Sequence, residues 1–98
     1  MADEWDIAVG VMRIAAANGG LCTFDAAYHD IPSLVHLSPD NLAPSATRGG
    51  EPMWHQLVRN IKSHDQTDGN AISEGYLEHV LGVGYRITPS GTRYLKAH

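Results

Sequence analysis

Apolar residues near the start of the chain recur at helical intervals. In DEWDIAVGVMRIAAANGG, Trp5, Ala8, Val9, Met12 and Ala16 fall on one face, carboxylates fill the first turn and the Gly19-Gly20 pair ends the run, which predicts a helix over about residues 3–18. Gly10 within it marks either a close helix contact or a tolerated surface glycine. GLCTF is long enough only for an edge strand. Thr23 then suits the N-cap of a second helix, FDAAYHDI, expected to end before Pro32, with Pro32–Leu37 either continuing helical or turning. Ser38 and Pro39 have the chemistry of N-cap and N1 for one short helical turn, and APSATRGG reads as loop. So long a polar loop in so small a chain implies disorder or function. The clearest amphipathic pattern comes next. Pro52 suits N1 of a helix over about residues 52–65, on which Trp54, Leu57, Val58 and Ile61 share one face while His55, Gln56, Arg59, Ser63 and Gln66 point the other way.

After the turn residues DQTDGN the pattern turns strand-like. AISEGYLEHV and GYRIT are two such runs, with Leu81, Gly82 and Val83 between them as a hairpin turn. Within GYRITPSGTRYLKAH the alternation gives way to a helix start: Thr88 suits an N-cap, Pro89 suits N1, and Tyr94 and Leu95 face back to the core. The order is helix, short strand, helix, helix, hairpin, helix, with no internal repeat. It predicts an α+β fold in a single domain over residues 1–98.

Composition narrows the picture. The 98 residues, 43% apolar and 18% charged, suffice for one modest core. No run of eighteen apolar residues occurs and the amino terminus is acidic where a secretory leader is basic, so a cytoplasmic protein without a membrane partner is expected. Cys22, the single cysteine, excludes an internal disulfide and a CxxC site, and reads as a small buried side chain. The net charge of −4 argues against a polyanionic partner, yet it is unevenly spread. Residues 1–45 carry one cation against six carboxylates, a balance of −5; residues 46–98 carry six against five, a balance of +1. Four of the six histidines also lie in that second half. An anionic partner would therefore meet the second half through a local patch.

Three helices followed by a two-stranded hairpin is the arrangement of a winged helix-turn-helix: three-helix core, small β-hairpin wing and C-terminal helix, with the third helix as the reading element. The run Ile87-Thr88-Pro89-Ser90-Gly91-Thr92-Arg93-Tyr94-Leu95 has the aliphatic, Thr, two variable, Gly, three variable, Leu spacing seen where the last wing strand enters a closing helix. More narrowly, LSPDNLAPSATRGGEPMWHQLVRNIKSH followed by GYRITPSGTRYL resembles the N-terminal domain of Mrr-type restriction endonucleases. In that family a loop ending in Arg and Gly leads into a helix with an aromatic near its start and a Val-Arg pair within it, matched here by Arg48, Trp54, Val58 and Arg59. The resemblance covers about residues 11–96. It implies a DNA-binding winged helix that targets a nuclease in a restriction or modification-sensing system, with modified DNA among the duplexes read. The chain departs from a full enzyme of that family in leaving no room for the nuclease domain, and from its pattern in the longer insert DQTDGNAISEG before the wing.

The candidate contacts follow from side-chain chemistry. Arg59 can pair with the acceptor edge of guanine, Gln56 and Asn60 with adenine, and Lys62 with phosphate, with His55 and Ser63 beside them; an ordinary solvated helix face would carry the same residue types. Arg48 with Gly49 and Gly50 offers a cation and free backbone N–H groups ahead of a helix, or is a loop arginine that binds nothing. Arg86 and His79 on the wing could reach a phosphate, while Glu74 and Glu78 would repel it if they shared its face. Trp54 reads as core. No catalytic constellation, metal-ligand spacing or cofactor motif stands out, so the expectation is a non-enzyme without metal or cofactor. The expected partners are double-stranded DNA and, because one domain of this charge would bind weakly alone, a second copy or an associated nuclease. The rival reading is a protein-interaction or dimerisation domain that does not touch DNA, which the negative charge favours. Contiguity of Arg48, Arg59, Lys62, Arg86 and Arg93 would discriminate the two: one unbroken basic face indicates DNA, and interspersed carboxylates indicate protein.

Overall fold

A computed structural model describes all of residues 1–98 as five helices and a three-stranded antiparallel sheet. The first helix, α1 (Glu4–Ala17), starts at a capping box: the Asp3 carboxylate accepts from the Asp6 N–H, and that of Asp6 accepts from the Asp3 N–H. Its buried face is Ile7, Ala8, Val11, Met12, Ile14 and Ala15, whereas Ala16 of the expected stripe is exposed. The stripe is displaced because α1 is enclosed by neighbours on several sides, so its contact surface is broader than one helical row. Gly10 marks a close contact. A Cβ there would lie 2.6 Å from Ile31 Cδ1 of the next helix and 3.0 Å from Cγ2 of Val35 just beyond its end.

The sheet has the order β1-β3-β2, formed by β1 (Leu21–Thr23), β2 (Leu77–Val80) and β3 (Gly84–Ile87). In the central strand Tyr85 lies opposite Cys22 on one side and His79 on the other. Tyr85 has no exposed surface. Its hydroxyl donates to the Val58 carbonyl at 2.6 Å, which ties the sheet to the fourth helix.

The Thr23 hydroxyl caps α2 (Phe24–Leu34) at the Ala26 N–H. This helix runs through Pro32 instead of stopping before it. The proline is exposed while Ile31 beneath it is fully buried against α1, and that packing offsets the roughly 3 kcal/mol that a helix-interior proline costs. A short α3 (Pro39–Leu42) is capped by Ser38, as expected, and buries Asn41, whose amide holds Ala2 by both its N–H and its carbonyl.

Helix α4 (Trp54–Ser63) is two residues shorter at each end than the pattern suggested, and Pro52 is not its N1 residue. Pro52 instead pairs with Pro44, flanked by Ser45 N–H to Glu51 O at 2.7 Å and Met53 N–H to Ala43 O at 2.9 Å. The polar loop is thus closed at its base by a small antiparallel ladder. The core face of α4 is Trp54, Val58 and Ile61, all 2% exposed or less, with Leu57 at its margin. Beyond it, AISEGYLEHV is a strand only over its last four residues; the first six are turns. Asn70 imposes this. Its amide donates to the Ile61 carbonyl and to Glu4, and its oxygen accepts from the Ile72 and Ser73 N–H groups. The final helix, α5 (Pro89–Ala97), is capped by Thr88 as expected, and Tyr94 packs edge-on against Trp5 of α1.

Candidate nucleic-acid interface

The outward face of α4 is a connected polar ridge. Arg59 Nη2 donates to Gln56 Oε1 at 3.1 Å, and Gln56 Nε2 donates to Asn60 Oδ1 at 2.8 Å. Ser63 one turn on is exposed, its hydroxyl turned back to the Arg59 carbonyl. The i, i+3 and i, i+4 spacing that put Trp54, Val58 and Ile61 into the core brings these side chains together on the other side.

Arg59 is held from two sides. Its Nη2 lies 2.6 Å from Glu51 Oε1, with both side chains about a quarter exposed, while Glu51 Oε1 and Arg59 Nε lack an aligned hydrogen-bond partner. The Arg59 guanidinium holds the Glu51 carboxyl below its ordinary pKa. Burial works against the Arg59 charge, but Glu51 and the Tyr28 hydroxyl outweigh it and raise its pKa. His55 lies against the same group, stacked on the Tyr28 ring at 4.2 Å and 3.8 Å from Glu51. Desolvation lowers the His55 pKa in spite of the carboxylate, so the imidazole is neutral at pH 7. His55 is therefore a packed side chain on the flank of the ridge.

The remaining sequence-predicted residues lie outside the hydrogen-bonded ridge. Lys62 is paired with Asp65 at 2.5 Å and lowers that carboxyl's pKa. Arg48 is exposed in the 44–52 loop beside Gly49 and Gly50, both with positive φ. Arg86 is exposed on β3, directly opposite Glu78 of β2. Arg93 on α5 donates to its neighbour Ser90. The structure thus gathers Gln56, Arg59, Asn60 and Ser63, places Arg48 near enough to Glu51 to help lower its carboxyl pKa, and sets Lys62 and Arg86 against carboxylates of their own.

Two members of the site escaped the sequence reading. Glu51 stands four residues before His55, a spacing that signals its approach to the histidine but not to Arg59. Tyr28 comes from a different helix and gave no signal. No group of three or more His, Cys, Asp or Glu side chains is placed to hold a metal ion, and no helix is long and apolar enough to cross a membrane. No protein-family model, curated protein or solved structure matches the chain.

Proposed function

We propose that the chain is a winged helix-turn-helix domain that binds double-stranded DNA, with α4 entering the major groove and the β2–β3 hairpin as the wing. The observation that carries this reading is the α4 ridge. Gln56, Arg59 and Asn60 present the amide and guanidinium groups that pair with base edges, on a helix anchored from behind by Tyr85. The antiparallel order β1-β3-β2, with the hairpin following α4 in the chain, supports it, as does the resemblance to the N-terminal domain of Mrr-type endonucleases. Arg48, Lys62 and Arg86 act on phosphates around the ridge, Ser63 lies nearest the bases at its far end, and His55, packed on Tyr28 and Glu51, borders it on the near side. In this role the domain targets a restriction or modification-sensing system, or acts as a small regulator.

The basic residues do not form one unbroken face, so contiguity of charge counts against this reading and the α4 ridge alone carries it; the carboxylates beside the cations lower affinity without forbidding it. The exposed Lys62–Asp65 pair is weak because solvent screens it, whereas the largely buried Glu51–Arg59 pair must open before Arg59 can reach DNA; each phosphate neutralised releases condensed counterions. A fluorescence-anisotropy titration with a mixed-sequence duplex, unmodified and methylated, at low and moderate salt tests the reading. Binding that weakens with salt by a log–log slope of about −0.9 per phosphate, and is lost in Arg59→Ala, is the expected result. A second reading rests on the same carboxylates: Glu51 on Arg59, Asp65 on Lys62 and Glu78 opposite Arg86 suit a protein-interaction surface. Absence of duplex binding even at low salt would replace the first reading by the second.

A further inference from the structure

A groove runs along α1 on a side that α4 and the hairpin do not reach. Trp5, Asp6, Val9 and Arg13 of α1 line one wall, and Leu34 with Val35 at the end of α2 lines the other. Leu34 is 49% exposed and stands beside the half-buried Val9 and Val35, so the groove has an apolar centre. The groove is also electrically lopsided. Asp6 stands near its amino-terminal end and Arg13 near the other, both exposed, and neither forms an ion pair within the chain. Seven residues separate them, so they lie about 10 Å apart along the helix and within about 20° of the same direction.

That spacing is self-complementary. Two copies of α1 laid antiparallel about a two-fold axis between positions 9 and 10 bring Asp6 of each against Arg13 of the other. The same operation brings Val9 of one copy toward position 10 of the other, where Gly10 is covered by Ile31 and Val35 beside the exposed Leu34. We propose that this groove is a two-fold interface between copies of the chain, with Leu34 and Val9 as its apolar centre and two Asp6–Arg13 pairs closing its ends. An isologous contact of this kind uses one patch twice, as most soluble homodimers do. None of the groove residues belongs to α4 or the hairpin, so the assembly leaves the α4 ridge of both copies open.

Sedimentation equilibrium of the full chain from micromolar to millimolar concentration is the test. The expected result is a monomer–dimer equilibrium whose dissociation constant rises at least tenfold in Leu34→Glu and in Arg13→Glu, with melting temperatures recorded to show that both variants fold. Asp6→Lys combined with Arg13→Glu reverses both charges and should recover dimerisation, and the two single variants mixed should pair with each other better than either does with itself. A chain that stays monomeric throughout, or a dimer that neither variant weakens, overturns the proposal. Because Asp6 also closes the capping box of α1, melting temperatures are recorded for the variants that carry Asp6→Lys as well; failure of a folded double variant to recover a dimer that Arg13→Glu had broken overturns the two-fold pairing.

Discussion

At Gly91 the missing side chain lets α5 approach the residue that leads into β2. A Cβ there would come within 2.3 Å of the Tyr76 carbonyl oxygen and 2.8 Å of Ile87 Cγ1. Thr88 sits in the same joint, its hydroxyl donating to the Gly75 carbonyl while accepting from the Gly91 N–H. The Thr-x-x-Gly spacing therefore has a steric reason as well as a capping one. Replacing a helical glycine by alanine ordinarily stabilises by about 0.4–1 kcal/mol. Here the sign should reverse, because the obstructing atom is backbone; a melting temperature for Gly91→Ala at or above that of the wild type would contradict this. Glu51 is the other residue with an outsized effect. Since it occupies Arg59 in the free protein, Glu51→Gln should, on the proposed DNA-binding reading, tighten duplex binding by about two- to fivefold and steepen its salt dependence. Anisotropy titrations of the variant beside the wild type measure both changes.

At the scale of elements, α4 relies more on the turns between it and β2 than on caps of its own. It lacks a side-chain cap at Met53, and its carboxyl end is held through Asn70, which takes the Ile61 carbonyl. Asn70 is 5% exposed and also organises the turns leading into β2. Asn70→Ala leaves these buried groups without partners and should cost about 2 kcal/mol. For a chain of this size that corresponds to a melting temperature lower by about 8–16 °C, measurable by circular dichroism. The same elements show why boundaries were harder to read than elements. The proline at position 52 has the right chemistry for a helix start, but the ladder between Pro44 and Pro52 holds it outside the helix, and that pairing joins residues eight apart. The proline at position 32 has the chemistry of a helix stop, and burial of Ile31 carried the helix past it.

For the whole molecule, stability against pH is set by the groups that folding perturbs. Desolvation lowers the His55 pKa from its ordinary 6.5 in the folded state. Above that value both folded and unfolded chains leave it neutral; as the pH falls below it the unfolded chain takes up the proton first, so stability declines. Glu51 and Asp65 are also depressed, from 4.5 and 3.8, and their contributions disappear at still lower pH. The melting temperature should thus begin to drop below about pH 6.5, ahead of carboxylate titration, and His55→Gln should remove that first decline. Equal pH profiles for the two proteins would show that His55 protonates freely in the folded state.

Periodicity and cap chemistry together placed the helices, and short apolar runs placed the strands although the first hairpin run is six residues longer than the strand within it, because these are local properties carried by consecutive side chains. Thr23, Ser38 and Thr88 announced three helix starts for the same reason: a cap acts on the N–H groups of the next three residues. The outward face of α4 was legible too, since the residues that bury Trp54, Val58 and Ile61 fix the direction of Gln56, Arg59 and Asn60. Only the tertiary structure decided which of these groups are engaged. Glu51 reaches Arg59 because the 44–52 loop closes on itself, Tyr28 reaches His55 from another helix, and Glu78 faces Arg86 through strand register. Tyr28 and His55 are 27 residues apart, and packing of the common core sets their distance; Glu51–Arg59 and Glu78–Arg86 are only eight apart, yet loop closure and strand register decide them, and neither follows from the local repeat of side chains.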